Sequence, residues 1–255
     1  MKPFDEMMST KNWAALFMAA FFVSTALAQS AWQYNAYQNT THKNFRQNPL
    51  FTQAIDLDRI DYALLHAAIF FVTNETRAKN QRQAVAFAIE LERAAYHHSK
   101  YMAGQNFVAH ENPFSNRRNT PDQRAKLAGI KNPFITENIA THFGIKYKPR
   151  TPVYRLDTEK GTFSYQPGGA LIPNHTYLSF AEVIVAQWMD SPPHRANLLS
   201  QDAVQLGCGA YFFRDQNFYN MPTFMATQNF QLYEKVIPGK ATDRWPCYSS
   251  CNTAA

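Results

Sequence analysis

The hydrophobic positions of this 255-residue chain follow a helical period first and a strand-like pattern later. From about residue 54 to Val72, apolar residues recur at spacings of three to five, which predicts a helix. A second helix is predicted at about 81–104, where apolar positions advance in steps of three and four. A third, short helix is predicted at about 121–128. The first half of the chain is therefore predicted to be mainly helical.

Residues 144–178 differ from their surroundings because prolines and glycines interrupt them repeatedly. Two strand-like pieces, 153–156 and 162–165, are separated by a short polar turn. We therefore predict a hairpin inserted between helices. A surface insertion is the default interpretation, with a lid over a cleft as the alternative.

The remaining pattern predicts one more helix and then strands. Residues 178–190 read as a helix in which Glu182 and Gln187 are the polar positions of 180–189, so we expect burial on nearly all sides. Strand-like runs follow at about 205–214 and 222–232. Because helices precede strands without regular alternation, the fold class predicted is α+β with an antiparallel sheet. One domain is expected at 51–235.

Residues 1–28 are typical of a secretory signal peptide. Lys2 and Lys11 supply positive charge, a short apolar run follows, and small residues precede a cleavage position after Ala28. The alternative is an uncleaved membrane anchor, for which the apolar run is short. We expect a secreted or periplasmic protein, with an extended polar lead-in at 29–50, a polar tail at 236–255 and no membrane-spanning segment in the mature chain.

Charge and cysteine content restrict the expected partners and covalent chemistry. The chain has 25 Lys and Arg against 19 Asp and Glu, a net charge of +6. Its basic clusters are too short to indicate a nucleic-acid surface. Export permits disulfides, and three cysteines lie in the last fifth of the chain. We predict a Cys247–Cys251 disulfide and a reduced, buried Cys208.

Four side chains are candidates for chemistry: His110, Glu137, Glu182 and His194. Glu137 and Glu182 are acids within apolar surroundings, and a buried carboxylate needs a hydrogen-bond or charge partner. Histidine is a partner that also titrates near neutral pH. If the four converge in one cleft, they can perform acid–base chemistry or hold a divalent metal ion. For any one of them alone, a structural hydrogen bond is the competing interpretation.

An ordered series of motifs adds a resemblance to a known family. The motifs are Thr73-Asn74-Glu75-Thr76-Arg77, Ala94-Ala95-Tyr96-His97-His98-Ser99-Lys100-Tyr101-Met102, His110, Thr136-Glu137-Asn138-Ile139-Ala140, Trp188-Met189-Asp190-Ser191-Pro192-Pro193-His194-Arg195-Ala196-Asn197-Leu198-Leu199, Gly207-Cys208-Gly209 and Thr227-Gln228-Asn229-Phe230. Together they resemble the CAP superfamily of cysteine-rich secretory, antigen 5 and pathogenesis-related 1 proteins, particularly its bacterial SCP-like extracellular branch. The resemblance covers about residues 55–231.

The resemblance implies a fold and a site. The fold is an α-β-α sandwich with a central antiparallel sheet, and its cleft holds two histidines and two acids. His110, Glu137 and His194 match three of these four positions. Many family members carry a second Glu three residues after the helix Trp, where this chain has Ser191. Glu182 is the candidate substitute, and structural use is its alternative. His110 and His194 are the candidate metal ligands, for Zn²⁺ or another divalent cation.

Three functions remain open from the sequence. The first is an exported binding protein whose cleft holds a divalent metal ion, a lipid, an envelope polymer or a protein ligand. The second is a hydrolase, acid–base or metal-assisted, in which His110 and His194 hold Zn²⁺ and Glu137 positions an attacking water. The third is a structural envelope protein without a working cleft. The sequence favours binding over catalysis.

Overall fold

The computed structural model describes residues 31–233. The helices of this part are α1 (Tyr62–Lys79), α2 (Ile89–Gln105), α3 (Pro121–Leu127), α4 (Tyr177–Asp190) and α5 (Pro192–Leu198). The strands are β1 (Ala86–Phe87), β2 (Ile135–Phe143), β3 (Tyr154–Asp157), β4 (Thr162–Ser164), β5 (Ala203–Asp215) and β6 (Met221–Leu232). The predicted α+β class is confirmed.

One four-stranded sheet with the order β1-β5-β6-β2 forms the centre of the fold. β5 and β6 are joined by a short turn and pair antiparallel over nearly their whole length, and β2 pairs antiparallel with β6. The two-residue β1 pairs parallel with β5, so the sheet is mixed where an antiparallel one was expected. β2 is consequently an edge strand, and its unpaired edge is available for contact with elements that follow it in the chain.

The strands separate two helical layers because their side chains alternate between faces. Leu206, Cys208 and Ala210 of β5 belong to the core cluster that also contains buried side chains of α1 and α4. On the opposite face, Gly207 and Gly209 lie against the backbone of α2. Hence α1 and α4 cover one face and α2 covers the other, the α-β-α arrangement that the sequence resemblance implies.

Local sequence signals explain several helix boundaries. Asp61 caps α1 by accepting a hydrogen bond from the Leu64 amide, at 3.0 Å. Thr120 and Gln123 form a capping box at α3, as Thr176 and Ser179 do at α4. The α5 helix starts with Pro192 in its first turn, where the missing proline N–H costs no helical hydrogen bond.

The segment 31–52 differs from the extended lead-in predicted at 29–50. It forms three short 3₁₀ helices, at Tyr34–Gln38, Phe45–Gln47 and Pro49–Thr52. Its aromatic residues Trp32 and Phe45 are buried with α1 in the main core. The burial of these side chains was not predicted, because a few isolated aromatic residues among polar ones show no periodic pattern in the sequence.

Other differences concern the ends and faces of helices. α2 begins only at Ile89, because the preceding residues Ala86 and Phe87 pair with β5. α4 is buried on one side rather than all round, with Ala186 and Gln187 exposed. The inserted hairpin is confirmed as the separate two-stranded sheet β3-β4.

Some predictions concern parts of the chain that the structure leaves undescribed. The signal peptide at 1–28, the Cys247–Cys251 disulfide and the tail at 236–255 lie outside residues 31–233. Cys208 is a free, buried thiol, as predicted. Among the described helices, none is both long enough and apolar enough to cross a membrane.

Candidate functional site

The candidate site is organised around Glu137 on the edge strand β2. Glu137 pairs across the ladder with Asn229 of β6, and its side chain lies on the sheet face that α2 covers. Asn138, the next residue, points to the opposite face. The carboxylate of Glu137 is therefore removed from water, and an isolated buried charge of this kind is costly unless it is paired.

Three side chains supply the hydrogen bonds that this carboxylate needs. His110 Nδ1 lies 3.0 Å from Glu137 Oε1. Arg124 of α3 donates from Nη2 to Glu137 Oε2 at 2.8 Å, and both of these side chains are buried. With its amide oriented to satisfy both atoms, Asn229 donates to Oε2 at 3.1 Å and accepts from the Ala95 amide. Both oxygens of the Glu137 carboxylate are thus engaged by hydrogen-bond donors.

His110 is held at the mouth of the site by this carboxylate. It follows α2 in an irregular segment, and its side chain is 54% exposed. Because a carboxylate accepts hydrogen bonds, Nδ1 of His110 carries the donated proton. The hydrogen bond to Glu137 raises the pKa of His110, against the opposing effects of partial burial and of Arg124. The second ring nitrogen, Nε2, is left for a ligand or for water.

His194 reaches the same region from α5. The Asn138 side chain donates to the His194 carbonyl oxygen at 3.0 Å. Asn197, also on α5, donates to the Glu137 carbonyl oxygen and to Asn138 Oδ1. These bonds attach the helix to the β2 edge. Partial burial and the positive charge of His110 lower the pKa of His194, so the two imidazoles influence each other and His194 favours its neutral form.

A third histidine, His98 of α2, supports the site from behind. It is fully buried, and its Nε2 donates to the Ala109 carbonyl oxygen at 2.9 Å. This bond positions the residue immediately before His110. Burial lowers the pKa of His98 to about 4, although Glu137 4.0 Å away opposes the shift. His98 is therefore a neutral structural residue near neutral pH.

The structure places Glu182 apart from the candidate site, so it gives no support to Glu182 as the fourth member. Glu182 forms an ion pair with Arg46 at 2.7 Å, and Arg46 also pairs with Glu75 of α1. Among the described residues it makes no contact with His110, Glu137 or His194. Its position on the solvent side of α4 is stabilised by charge, whereas the sequence interpretation had assumed burial.

The arrangement provides two imidazoles and one carboxylate, whose oxygens are already hydrogen-bonded to protein side chains. Within residues 31–233, no group of three or more His, Cys, Asp and Glu side chains is arranged to hold a metal ion. Ser191 occupies the N-cap position of α5 without a side-chain capping hydrogen bond. Any cation bound here would therefore depend on His110 and His194, with water completing its coordination.

Sequence reasoning did not find Arg124, His98, Asn138, Asn197 and Asn229 as parts of the site. Only partial signals were present. Asn138, Asn197, His98 and Asn229 all lie inside motifs quoted for the family resemblance. Arg124 is a charged residue on a short helix that packs on α2. Their roles depend on neighbours far away in the chain, so no local pattern could assign them.

The chain is similar to several solved structures over about two thirds of its length. A solved extracellular SCP-domain protein from Bacillus anthracis str. Ames is 20% identical, with 68% of this chain and 42% of that chain covered and a TM-score of 0.44. An outer surface protein from Borrelia burgdorferi is 15% identical, with 66% and 92% covered and a TM-score of 0.41. A cysteine-rich secretory protein from Staphylococcus aureus is 14% identical, with 67% and 39% covered and a TM-score of 0.39.

The decisive comparison is with protein families. No curated protein matches the chain. The family model described as CAP, the cysteine-rich secretory protein family, matches residues 70–230. That match covers more than half of the chain and includes α2, the central sheet, His110, Glu137 and His194. The chain belongs to the CAP family.

Proposed function

We propose that this chain is an exported CAP-domain protein that binds a divalent transition-metal ion, with Zn²⁺ as the first candidate. His110 and His194 would be its protein ligands. Imidazole nitrogens suit Zn²⁺ and related ions, whereas Ca²⁺ and Mg²⁺ prefer oxygen. A bound ion would supply Lewis acidity and a means of orienting an oxygen-containing ligand.

The observation that carries the proposal is the 3.0 Å contact between His110 Nδ1 and Glu137 Oε1. A histidine that binds a metal commonly donates its other ring N–H to a carboxylate, which fixes the tautomer and raises the basicity of the ligating nitrogen. His110 has this arrangement, with Nε2 as the remaining nitrogen. The lowered pKa of His194 favours the neutral ring that a metal requires.

The same geometry argues against Glu137 as the base of a hydrolase. Its Oε1 is engaged by His110, and its Oε2 is engaged by Arg124 and Asn229. A carboxylate whose oxygens already accept hydrogen bonds from side chains positions those side chains. It has little remaining capacity to accept a proton from an attacking water. Since Glu182 lies outside the site, the described residues offer no second acid there, and binding is the better-supported function.

Export is supported by the first 28 residues of the sequence. Their short apolar run and small residues before position 29 match a cleavable secretory signal. We accordingly propose a secreted or periplasmic location. Expression of the full chain, followed by N-terminal sequencing of the exported protein, tests this point. A mature chain beginning at Gln29 is expected, and retention of an intact N-terminus inside the cell would contradict export.

Calorimetric titration with Zn²⁺ tests the metal site. The chain from residue 29 should be used with Cys247 and Cys251 replaced by serine, because free thiols also bind zinc. We expect one site with micromolar affinity near neutral pH, weaker than a site with three or four protein ligands. His110→Ala and His194→Ala should each abolish measurable binding. Glu137→Gln should weaken it about 10–100-fold, as expected for loss of an orienting carboxylate.

The matched control is His42→Ala, which removes a histidine outside the site. Its titration should be indistinguishable from that of the unmodified background. Failure of the folded background protein to take up Zn²⁺ would overturn the proposal. So would uptake that both site variants leave unchanged.

An apolar organic ligand is a second candidate for the cleft, favoured by two exposed side chains. Val108 and Phe114, on either side of His110 in sequence, are both mainly exposed. Phe114 contacts Phe107 with ring centroids 5.4 Å apart, which gives the loop an aromatic wall. A fatty-acid titration followed by tryptophan fluorescence tests this. Binding that Phe114→Ser does not weaken would exclude this wall as the contact.

A further inference from the structure

The inserted hairpin carries an exposed apolar surface that the CAP core does not explain. Residues 144–173 connect β2 to α4 and contain the β3-β4 ribbon. One face of this segment packs on a small core of its own: Ile145, Phe163, Ile172 and Met221. The ribbon is also fixed to the turn between β5 and β6, because Asn220 donates to the Thr158 carbonyl oxygen at 3.0 Å. The insertion is therefore an anchored element.

The insertion also exposes three apolar side chains to solvent. Tyr154 pairs with Ser164, and Ser164 pairs in turn with Leu171, so Tyr154 and Leu171 share one side of the ribbon. Leu156 follows on β3 at an irregularity of the ladder between Arg155 and Asp157, and its side chain is exposed as well. The three are 46%, 59% and 38% exposed for Tyr154, Leu171 and Leu156 respectively. We call these three residues the outer face.

The adjoining turn adds exposed aromatic residues at this end of the molecule, on the side of the ribbon where Phe218 stacks on Phe163. Phe218 and Tyr219, between β5 and β6, are also exposed. The guanidinium of Arg155 lies over the Tyr219 ring, 4.1 Å from its centroid, and links the turn to the ribbon. Exposed apolar residues grouped at one end of a protein commonly mark a site of interaction.

The insertion that carries the outer face is positively charged. The insertion contains five basic residues and two acidic ones, Asp157 and Glu159, so its net charge is +3. The whole chain carries +6, which means that half of the excess lies in this one segment. The basic residues are all exposed and are Lys146, Lys148, Arg150, Arg155 and Lys160. Asp157 is half-buried, and its carboxylate accepts a hydrogen bond from the Lys160 amide.

We propose that the outer face docks on an anionic lipid bilayer. Apolar side chains bordered by Lys and Arg suit a bilayer surface, because the former enter the interface while the latter meet negative headgroups. Leu156 and Leu171 favour lipid over a polysaccharide, since a sugar ring stacks on aromatic rings and gains little from aliphatic side chains. A soluble polyanion would neutralise the lysines but leave the three apolar side chains in water.

The proposal is independent of the metal site. The outer face is built by the insertion and contains none of His110, Glu137 or His194. A protein that binds no metal can therefore still dock, and a protein that binds metal can fail to dock. The two proposals are tested by different measurements on different variants.

Vesicle co-sedimentation tests the docking. The chain from residue 29 is used because the apolar run before it would itself enter lipid, and circular dichroism with a cooperative melt verifies its fold. We expect binding to vesicles of mixed phosphatidylcholine and phosphatidylglycerol, at least tenfold weaker binding to phosphatidylcholine alone, and weakening by added salt. Tyr154→Ser/Leu156→Ser/Leu171→Ser should weaken binding to the mixed vesicles at least tenfold. Lys146→Gln/Lys148→Gln/Arg150→Gln should remove the preference for phosphatidylglycerol.

The chain offers a matched control at the other end of β2. Phe134 and Tyr233 are 54% and 63% exposed and stack on each other with ring centroids 5.6 Å apart. The nine residues of β2 place them roughly 30 Å from the insertion, at about 3.3 Å per residue. Phe134→Ser/Tyr233→Ser should bind the mixed vesicles as the unmodified chain does. If this control weakens binding as much as the outer-face variant does, the location is wrong.

Four further outcomes would overturn the proposal. The first is the absence of binding to mixed vesicles by a folded chain. The second is binding that the outer-face variant retains in full. The third is dimerisation in sedimentation-velocity runs that the triple serine variant abolishes. This result would assign the outer face to a second copy of the chain. Binding to soluble polyphosphate without binding to vesicles would assign the basic residues to a polymer.

Discussion

Two glycines of β5 allow the backbone of α2 to approach the central sheet closely, and a single methyl group should disrupt this contact. A Cβ atom added at Gly207 would lie 2.0 Å from the Glu92 amide nitrogen and 2.2 Å from the Leu91 carbonyl carbon. At Gly209 the added atom would lie 2.1 Å from the Tyr96 nitrogen. All three of these neighbours are backbone atoms, so no side-chain rotation can relieve the clash.

The magnitude follows from the displacement that the methyl group requires. Ordinary carbon contacts begin at about 3.5 Å, so Gly207→Ala must move helix and strand apart by about 1.5 Å. Overpacking a core usually costs about 1–3 kcal/mol. The separation here would also strain the bond from Ser99 Oγ to the Gly209 carbonyl oxygen, now 3.2 Å long. We expect Gly207→Ala and Gly209→Ala each to lose about 3 kcal/mol or more of unfolding free energy.

Urea unfolding followed by circular dichroism measures this loss, and α2 itself contains the control. Gly104 lies in the same helix, and a Cβ added there meets nothing within 4 Å. Gly104→Ala should therefore stabilise the protein by about 0.5–1 kcal/mol, the usual gain from replacing glycine inside a helix. If Gly207→Ala unfolds within about 0.5 kcal/mol of the unmodified chain, the close approach of α2 to β5 is refuted.

Three other predictions concern charged and reactive groups. Glu137→Gln should lower the pKa of His110, because the bond to Glu137 is the largest cause of its rise; NMR titration would show this. Because the pKa of His110 is raised, the His110–Glu137 pair adds its full stability below a pH of about 6.5, and this stability is lost as the pH rises through the folded-state pKa. Glu137→Gln should remove this pH dependence of the unfolding free energy and cost about 3 kcal/mol through loss of the buried charge. An unchanged dependence of stability on pH would refute the pairing. Glu182→Gln removes one exposed partner of Arg46 and should leave Zn²⁺ affinity unaltered, with a loss of at most about 1 kcal/mol in urea unfolding. Cys208, in a variant whose two C-terminal cysteines are serine, should react with a thiol reagent only after unfolding, because burial raises its pKa, and rapid labelling of the native protein would contradict its burial.

Patterns that depend on near neighbours in the chain were predictable. The boundaries of α3 and α4 follow from capping boxes whose members are three residues apart. The β3-β4 hairpin follows from a turn within one short segment. The strands β5 and β6 were predicted because their strand-like runs flank one short turn. In each case the interactions that determine the element are encoded within a few residues.

Elements whose neighbours are distant were missed. β2 contains Glu137 and Asn138, two polar residues that look unsuited to a buried strand. Both are tolerated because they are hydrogen-bonded. Glu137 bonds to Arg124 and His110, and Asn138 bonds to Gln228 and Asn197. α5 was missed because its two initial prolines suggest a break, although proline fits the first turn of a helix.

The sequence by itself determined the family and most of the helical and strand-forming segments, and it supplied His110, Glu137, Glu182 and His194 as candidate site residues. Only the tertiary structure decided between Glu137 and Glu182, which are both single acids among apolar residues in the sequence. Glu137 is buried and meets Arg124 and His110, whereas Glu182 faces solvent and pairs with Arg46, 136 positions away. The state and role of a carboxylate depend on the charges and the water around it, and folding alone brings those neighbours together.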